Sequence, residues 1–186
     1  MITERTFEEL LKNGPNDNFI DGSGIIWKFK EMKRNKPVYD KCWIVGDKEY
    51  PYTEDYNELT ALVNPKEFID APDLGGKLTM FRVFIDYNYP LLFVVRNPTG
   101  QLFMFTETED TNLFEGWGVV PISRDDYDNI LKSKISFYNV YQKHSHEFLK
   151  IFHFYKSDRI MVSPLPMSGD DCPGDTYYNN IPGVKG

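Results

Sequence analysis

The sequence predicts an α+β fold, mainly antiparallel β-sheet with short helices. Three observations carry that expectation. Phe, Tyr and Trp supply 16% of the 186 residues, and such side chains fit pleated, half-buried surfaces. Short alternating or wholly apolar runs are bounded by Gly, Pro, Asn and Asp clusters, the pattern of strands and turns. Helix-start signals also recur, each followed by only a short periodic stretch.

Taken in order, Thr6-Phe7-Glu8-Glu9 is a capping-box pattern, with Leu10 and Leu11 at helical spacing and Gly14-Pro15 as the stop. Residues 24–30 alternate, Ile25, Trp27 and Phe29 against Ile26, Lys28 and Lys30, and read as a strand with one wet side. Val38-Tyr39 and Cys42–Val45 read as a second strand region. Gly46-Asp47 turns the chain and Lys48-Glu49-Tyr50 pairs back. Thr53 is the expected cap of a helix through Leu62, ended by Asn64-Pro65, and Phe68-Ile69 a final edge strand.

The Pro/Gly cluster at 71–77 is the expected internal boundary. Beyond it, Leu78–Ile85 and Pro90–Arg96 read as strands. Asn97-Pro98-Thr99-Gly100 has the residues of a type I turn, and Gln101–Thr106 returns as the partner strand. Glu107–Gly116 reads as an acidic loop or hairpin end, and Trp117–Ile122 as a further strand. Ser123 and Ser136 are expected to cap two helices with stripes of Tyr127, Ile130 and Leu131, and of Phe137, Val140 and Tyr141. Phe148–Tyr155 and Arg159–Val162 close the sheet. The expected organisation is an acidic α+β unit over 1–72, a sheet with helices over 76–162, and a Pro/Gly-rich tail over 163–186.

Charge narrows the function classes. Twenty-eight acidic against 21 basic side chains give a net charge of −7. The excess lies in residues 1–75 and the tail, while 76–162 balances. An acidic chain approaches phosphate backbones only through a concentrated basic face. The one dense basic stretch is Lys28, Lys30, Lys33, Arg34 and Lys36, whose plain reading is a solvated strand face and loop, so direct nucleic-acid binding is not expected. No apolar run reaches bilayer length and the N-terminus lacks a basic-then-apolar leader. Two distant cysteines, Cys42 and Cys172, suit a reducing compartment, so a cytoplasmic protein is expected.

Tyr-Pro-Leu-Leu-Phe (89–93), then Gly100-Gln-Leu-Phe, then Trp117-Gly-Val-Val-Pro-Ile-Ser ahead of a short helix, form one pattern. Residues 76–135 thereby resemble an uncharacterised domain family of bacteria and their phages. The first 70 residues, with Phe-Glu-Glu-Leu-Leu and short aromatic strands, are similar in style to small phage accessory domains. The resemblance implies core strands, a turn and a cap, and brings no catalytic residues with it.

His144-Ser145-His146 is the one His pair, and with Glu147 or His153 it offers a zinc-ligand set for a metal-assisted enzyme. Its plain reading is an exposed polar turn. Asp170, Asp171, Cys172 and Asp175 offer carboxylates for a hard cation without an EF-hand spacing. Two acidic groups, Asp47, Glu49, Glu54, Asp55 and Glu58 with Tyr52 and Tyr56, and Glu107, Glu109, Asp110 and Glu115, suit a basic partner surface. No phosphate loop, dinucleotide fingerprint, nucleophile elbow or His-Glu-x-x-His occurs. The expectation is a non-enzymatic interaction module with no cofactor. The phage-like resemblance implies an inhibitor or modulator of a host defence complex, with a nucleic-acid-binding protein as one natural target. A small-ligand-binding module is the third reading.

Overall fold

The structure is a computed structural model, and it describes residues 18–20, 26–31, 41–45, 48–168, 171 and 173. The expected helix after Thr6, the Val38-Tyr39 pair and the Gly46-Asp47 turn lie outside these residues. So do Asp170, Cys172, Asp175 and the tail tyrosines Tyr177 and Tyr178. The chain divides into two compact units, Met1–Pro65 and Lys66–Gly186.

The first unit holds an antiparallel sheet in the order β1 (Asn18–Ile20), β2 (Ile26–Glu31), β3 (Lys41–Val45), β4 (Lys48–Pro51). Lys48–Pro51 pairs back on β3, Tyr50 opposite Trp43. Helix α1 (Tyr56–Val63) follows. Its cap is Asp55, whose carboxylate accepts from the Glu58 N–H, and not Thr53. Thr53 stands two residues outside and its hydroxyl accepts from the Asp55 N–H instead. A short polar side chain satisfies either position, so sequence alone misplaces the cap. Trp43, Val45 and Leu59 form the core, with Tyr50, Tyr52, Tyr56 and Val63 packed against it. The Trp43 indole N–H donates to the Thr53 carbonyl and its ring stacks on Tyr52.

The second unit is one seven-stranded antiparallel sheet. In chain order its strands are β5 (Lys66–Ala71), β6 (Gly76–Asp86), β7 (Pro90–Arg96), β8 (Leu102–Asp110), β9 (Phe114–Ile122), β10 (Leu149–Phe154) and β11 (Arg159–Ser163). Helices α2 (Arg124–Leu131) and α3 (Phe137–Lys143) lie between β9 and β10. Phe68-Ile69 is therefore an edge strand, as expected, but of this sheet. The Pro/Gly cluster at 71–77 is the tight β5–β6 connection, where Gly75 has φ +101°. Asn97 braces it: the side-chain amide donates to the Leu74 carbonyl while its oxygen accepts from the Thr99 N–H and hydroxyl and the Gln101 N–H. The expected turn at 97–100 forms, closed by the Gly100 N–H donating to the Asn97 carbonyl, with Gly100 at φ +90°.

Strand bulges give the sheet its curl. Phe68 is the unpaired residue of a register shift in β5, and Phe81 and Phe84 are unpaired in β6. A bulge bends its strand and adds twist. Four strand steps separate β5 from β9, about 19 Å in a flat sheet. Yet the Phe68 ring lies 5.2 Å from that of Trp117, edge to face. The face between them is closed on itself and filled by Leu78, Phe93, Val95, Phe103, Phe105, Trp117, Val119 and Ile151. Phe81 and Phe84 turn to the outer face, against Tyr127 and Phe137 of the helices. The Tyr141 hydroxyl lies within hydrogen-bonding distance of the carbonyls of Met104 and Gly118 on adjacent strands. Within the α2 stripe, Tyr127 and Ile130 are buried, whereas Leu131 is exposed.

Candidate functional site

At one end of the second sheet three hairpin tips meet: 87–89 between β6 and β7, 111–113 between β8 and β9, and 155–158 between β10 and β11. Cross-strand partners share a face. Glu107 and Ile151 both oppose Trp117, and Asp110 and His153 both oppose Glu115. The closed inner face thus continues outward from Trp117 into a rim of Glu107, Asp110, Glu115 and His153. Two tyrosines stand over it. The Tyr89 hydroxyl donates to Glu107 at 3.3 Å and the Tyr155 hydroxyl to Asp110 at 2.8 Å. His153 meets Asp158 at 2.6 Å and packs edge-on against Tyr155. Tyr87, Tyr89, Leu113 and Tyr155 are exposed around it.

Burial first and neighbouring like charges second set the electrostatics of this rim. Partial burial, then the Asp110 and Glu107 charges, hold the Glu115 carboxyl above its ordinary value, against the opposing effect of His153. Burial and Asp110 likewise hold Glu107 up, although the Tyr89 hydrogen bond pulls the other way. Tyr89 is raised chiefly by the Glu107 charge, and Tyr155 by burial and its bond to Asp110. Such a rim is a focused negative field with aromatic rings beside it.

Glu109 does not belong to it. The register shifts between Glu107 and Glu109, with Thr108 as the extra residue, so Glu109 emerges on the opposite face beside Gly116. There its carboxylate meets the Lys150 ammonium at 2.8 Å, and Asp171 meets the same ammonium at 3.1 Å. Burial would lower Lys150, but the two carboxylates more than offset it and hold it above its ordinary value. Asp171 also accepts from the Ser168 N–H and hydroxyl, and with Lys150 these outweigh burial and hold it below the usual range. Asp171, expected as a cation ligand, thus clasps the segment after β11 to the sheet. That segment fits because Gly118 has no side chain: a Cβ there would collide with the Asp171 carbonyl and the Phe148 ring.

The expected His pair is divided. His144 ends α3, and its Nε2 lies 2.8 Å from Asp126, whose side chain is 2% exposed. Asp126 also meets Lys143 at 2.7 Å and accepts from the Ser123 N–H, completing the capping box of α2. Burial would raise this carboxyl; Lys143, Ser123 and His144 together drive it far below the usual range. His146 stands exposed on a 3-10 turn (Ser145–Glu147). Among the described residues no group of three or more His, Cys, Asp and Glu is placed to hold a metal ion.

In the first unit Asp47 lies outside the described residues. Asp55 is spent on the α1 cap, Glu58 is buried, and Tyr52 and Tyr56 pack on the Trp43 core. The Tyr52 hydroxyl donates to Glu54 at 3.2 Å; Glu54 is exposed and Glu49 half-buried. Of the two acidic groups expected from sequence, the second yields a three-carboxylate rim. The tyrosines that complete it, Tyr89 and Tyr155, were not singled out. Their signal was positional: each directly adjoins a strand end that reaches the same edge.

The second unit is a curled antiparallel sheet with two helices on its outer face. The chain belongs to a family of unknown function (DUF6575), matched over residues 66–172. That span begins where the second unit begins and ends just after the Asp171 clasp. No curated protein and no solved structure matches the chain. No helix among the described residues is long and apolar enough to cross a membrane.

Proposed function

We propose that this chain is a protein-interaction module and that the rim of Glu107, Asp110 and Glu115, with Tyr89 and Tyr155, is its contact surface. One observation carries the reading: the β8–β9 hairpin gathers Glu107, Asp110 and Glu115 on one face, and the two neighbouring tips set the exposed Tyr89 and Tyr155 against them. A fold gains nothing internally from like charges held together, whereas a basic partner surface converts that repulsion into attraction. Tyrosine suits such a contact because it combines ring area with a hydroxyl. The chemistry selects a partner presenting Lys and Arg. A host complex with a nucleic-acid-binding component is one such partner, and an inhibitor of that complex is the most concrete form of the function.

The test is affinity capture from host lysate at low and high salt, comparing the natural chain with a Glu107→Gln/Asp110→Asn/Glu115→Gln variant. A stoichiometric partner held at low salt, released at high salt and lost in the variant is the expected result. A partner retained equally by the variant overturns the reading.

A further inference from the structure

The two edges of the second sheet are built differently. At β5 the ladder is interrupted by the Phe68 bulge, and Lys66, Glu67 and Asp70 stand exposed along it. Bulges and charges are the devices by which edges resist further pairing. At β11 neither device operates along the strand. Its five residues pair one for one with β10 without a register shift, and Arg159, at the first position, is its one charged residue. Ile160 and Val162 pack on the inner core, and Met161 is exposed on the other face. Among the described residues no strand lies beyond β11. Such an edge offers a row of main-chain donors and acceptors to an added strand.

The position of that edge defines the chemistry of its occupant. β11 begins at the 155–158 tip, so a strand laid along it runs into the rim at one end. The carboxylates of Asp86, Glu107, Asp110, Glu115 and Asp158 lie at this end of the sheet, against Lys156 and Arg159. We infer that β11 is a docking edge for an extended segment of a partner protein. That segment is apolar at alternate positions, which extend the row of Ile160 and Val162. It bears Lys or Arg at the end beside the 155–158 tip. The inference rests on the reading of the rim as a contact surface and adds the conformation in which the partner binds.

The probe is a short synthetic peptide of alternating Val and Thr ending in Lys-Arg-Lys. Its controls carry Glu-Asp-Glu at that end or N-methyl groups on alternate amides. Fluorescence anisotropy reads affinity to the full chain, and hydrogen exchange reads the amides of 159–163. The basic peptide is expected to slow exchange in β11 about tenfold at saturation. It is also expected to bind about tenfold more tightly than either control or than the natural peptide binds Met161→Lys. Protection absent from 159–163, or an N-methylated peptide that binds equally, overturns β-addition. If salt-sensitive binding of the basic peptide persists in that case, the rim reading survives. If acidic-ended and basic-ended peptides bind equally and both protect β11, the rim reading fails and the edge remains. Protection of β11 in the peptide-free chain, accompanied by dimers in sedimentation, overturns the inference in favour of a second copy.

Discussion

Two carboxylate clusters in the same unit meet opposite fates. Asp126 lies buried between a capping box and the cationic end of the next helix, and its carboxyl is held far below the ordinary range. Glu107 and Glu115 lie at the open end of the sheet with Asp110 between them, and theirs are held above it. The difference is compensation: hydrogen bonds from Lys143, Ser123 and His144 outweigh burial at one, while the Tyr89 hydroxyl at Glu107 and His153 at Glu115 do not outweigh it at the other. The first is a staple between two helices, and the second is charge left over for something outside the fold.

The largest test of that contrast is removal of the staple. Asp126→Ala should lower unfolding free energy by about 3 kcal/mol in urea titration, since a cap and two charged partners are lost together. Glu115→Gln should leave it unchanged or slightly raised. Next comes the clasp. Gly118→Ala should cost about 1–3 kcal/mol through overpacking against Phe148 and Asp171, and should speed hydrogen exchange at Ser168. Little change in either measure would show that the segment rests on the sheet without being fastened.

The smallest effect is in pH dependence, and its sign separates the clusters. A carboxyl raised on folding stabilises the native state below its unfolded value, and that contribution is lost as pH rises through the folded value. Natural protein should therefore lose stability relative to Glu107→Gln/Glu115→Gln as pH climbs from the ordinary 4.5 upward. Asp126 acts oppositely: its contribution is full above the ordinary Asp value of 3.8 and falls away only as pH drops below it. Stability curves against pH for Asp126→Asn and for the double variant should diverge from the natural curve in these opposite directions.

Local chemistry was legible in the sequence. The Asn97–Gly100 turn and the Ser123 and Ser136 caps are each fixed by residues within a few positions, and each forms where expected. Most strands were found too, because their apolar runs are bounded by strong breakers. The bulges were not legible. Phe68, Phe81, Phe84 and Thr108 depart from strict alternation because of packing across the sheet, which no local pattern records. That failure alone separates Glu109 from Glu107. The cluster at 71–77 illustrates a second limit, since Pro and Gly give the same signal in a tight hairpin as in a linker. The rim itself depends on three tips reaching one end, a property of strand order rather than of any segment.

The contact between Phe68 and Trp117 joins residues forty-nine positions apart, whereas the β6–β9 hairpins close over a few residues each. Loop-closure entropy therefore delays it behind those hairpins during folding. Strand β5 itself pairs with β6 across the short 72–75 connection, so what is delayed is the closure of the Phe68 ring over Trp117, which waits for β9. Trp117 fluorescence in stopped-flow refolding would show this as a late burial step, slowed in Phe68→Leu and absent from the hairpin amide protection that precedes it. A nascent chain emerging from the ribosome thus pairs β5 with β6 early, but carries the Phe68 ring without its aromatic partner until Trp117 has been made.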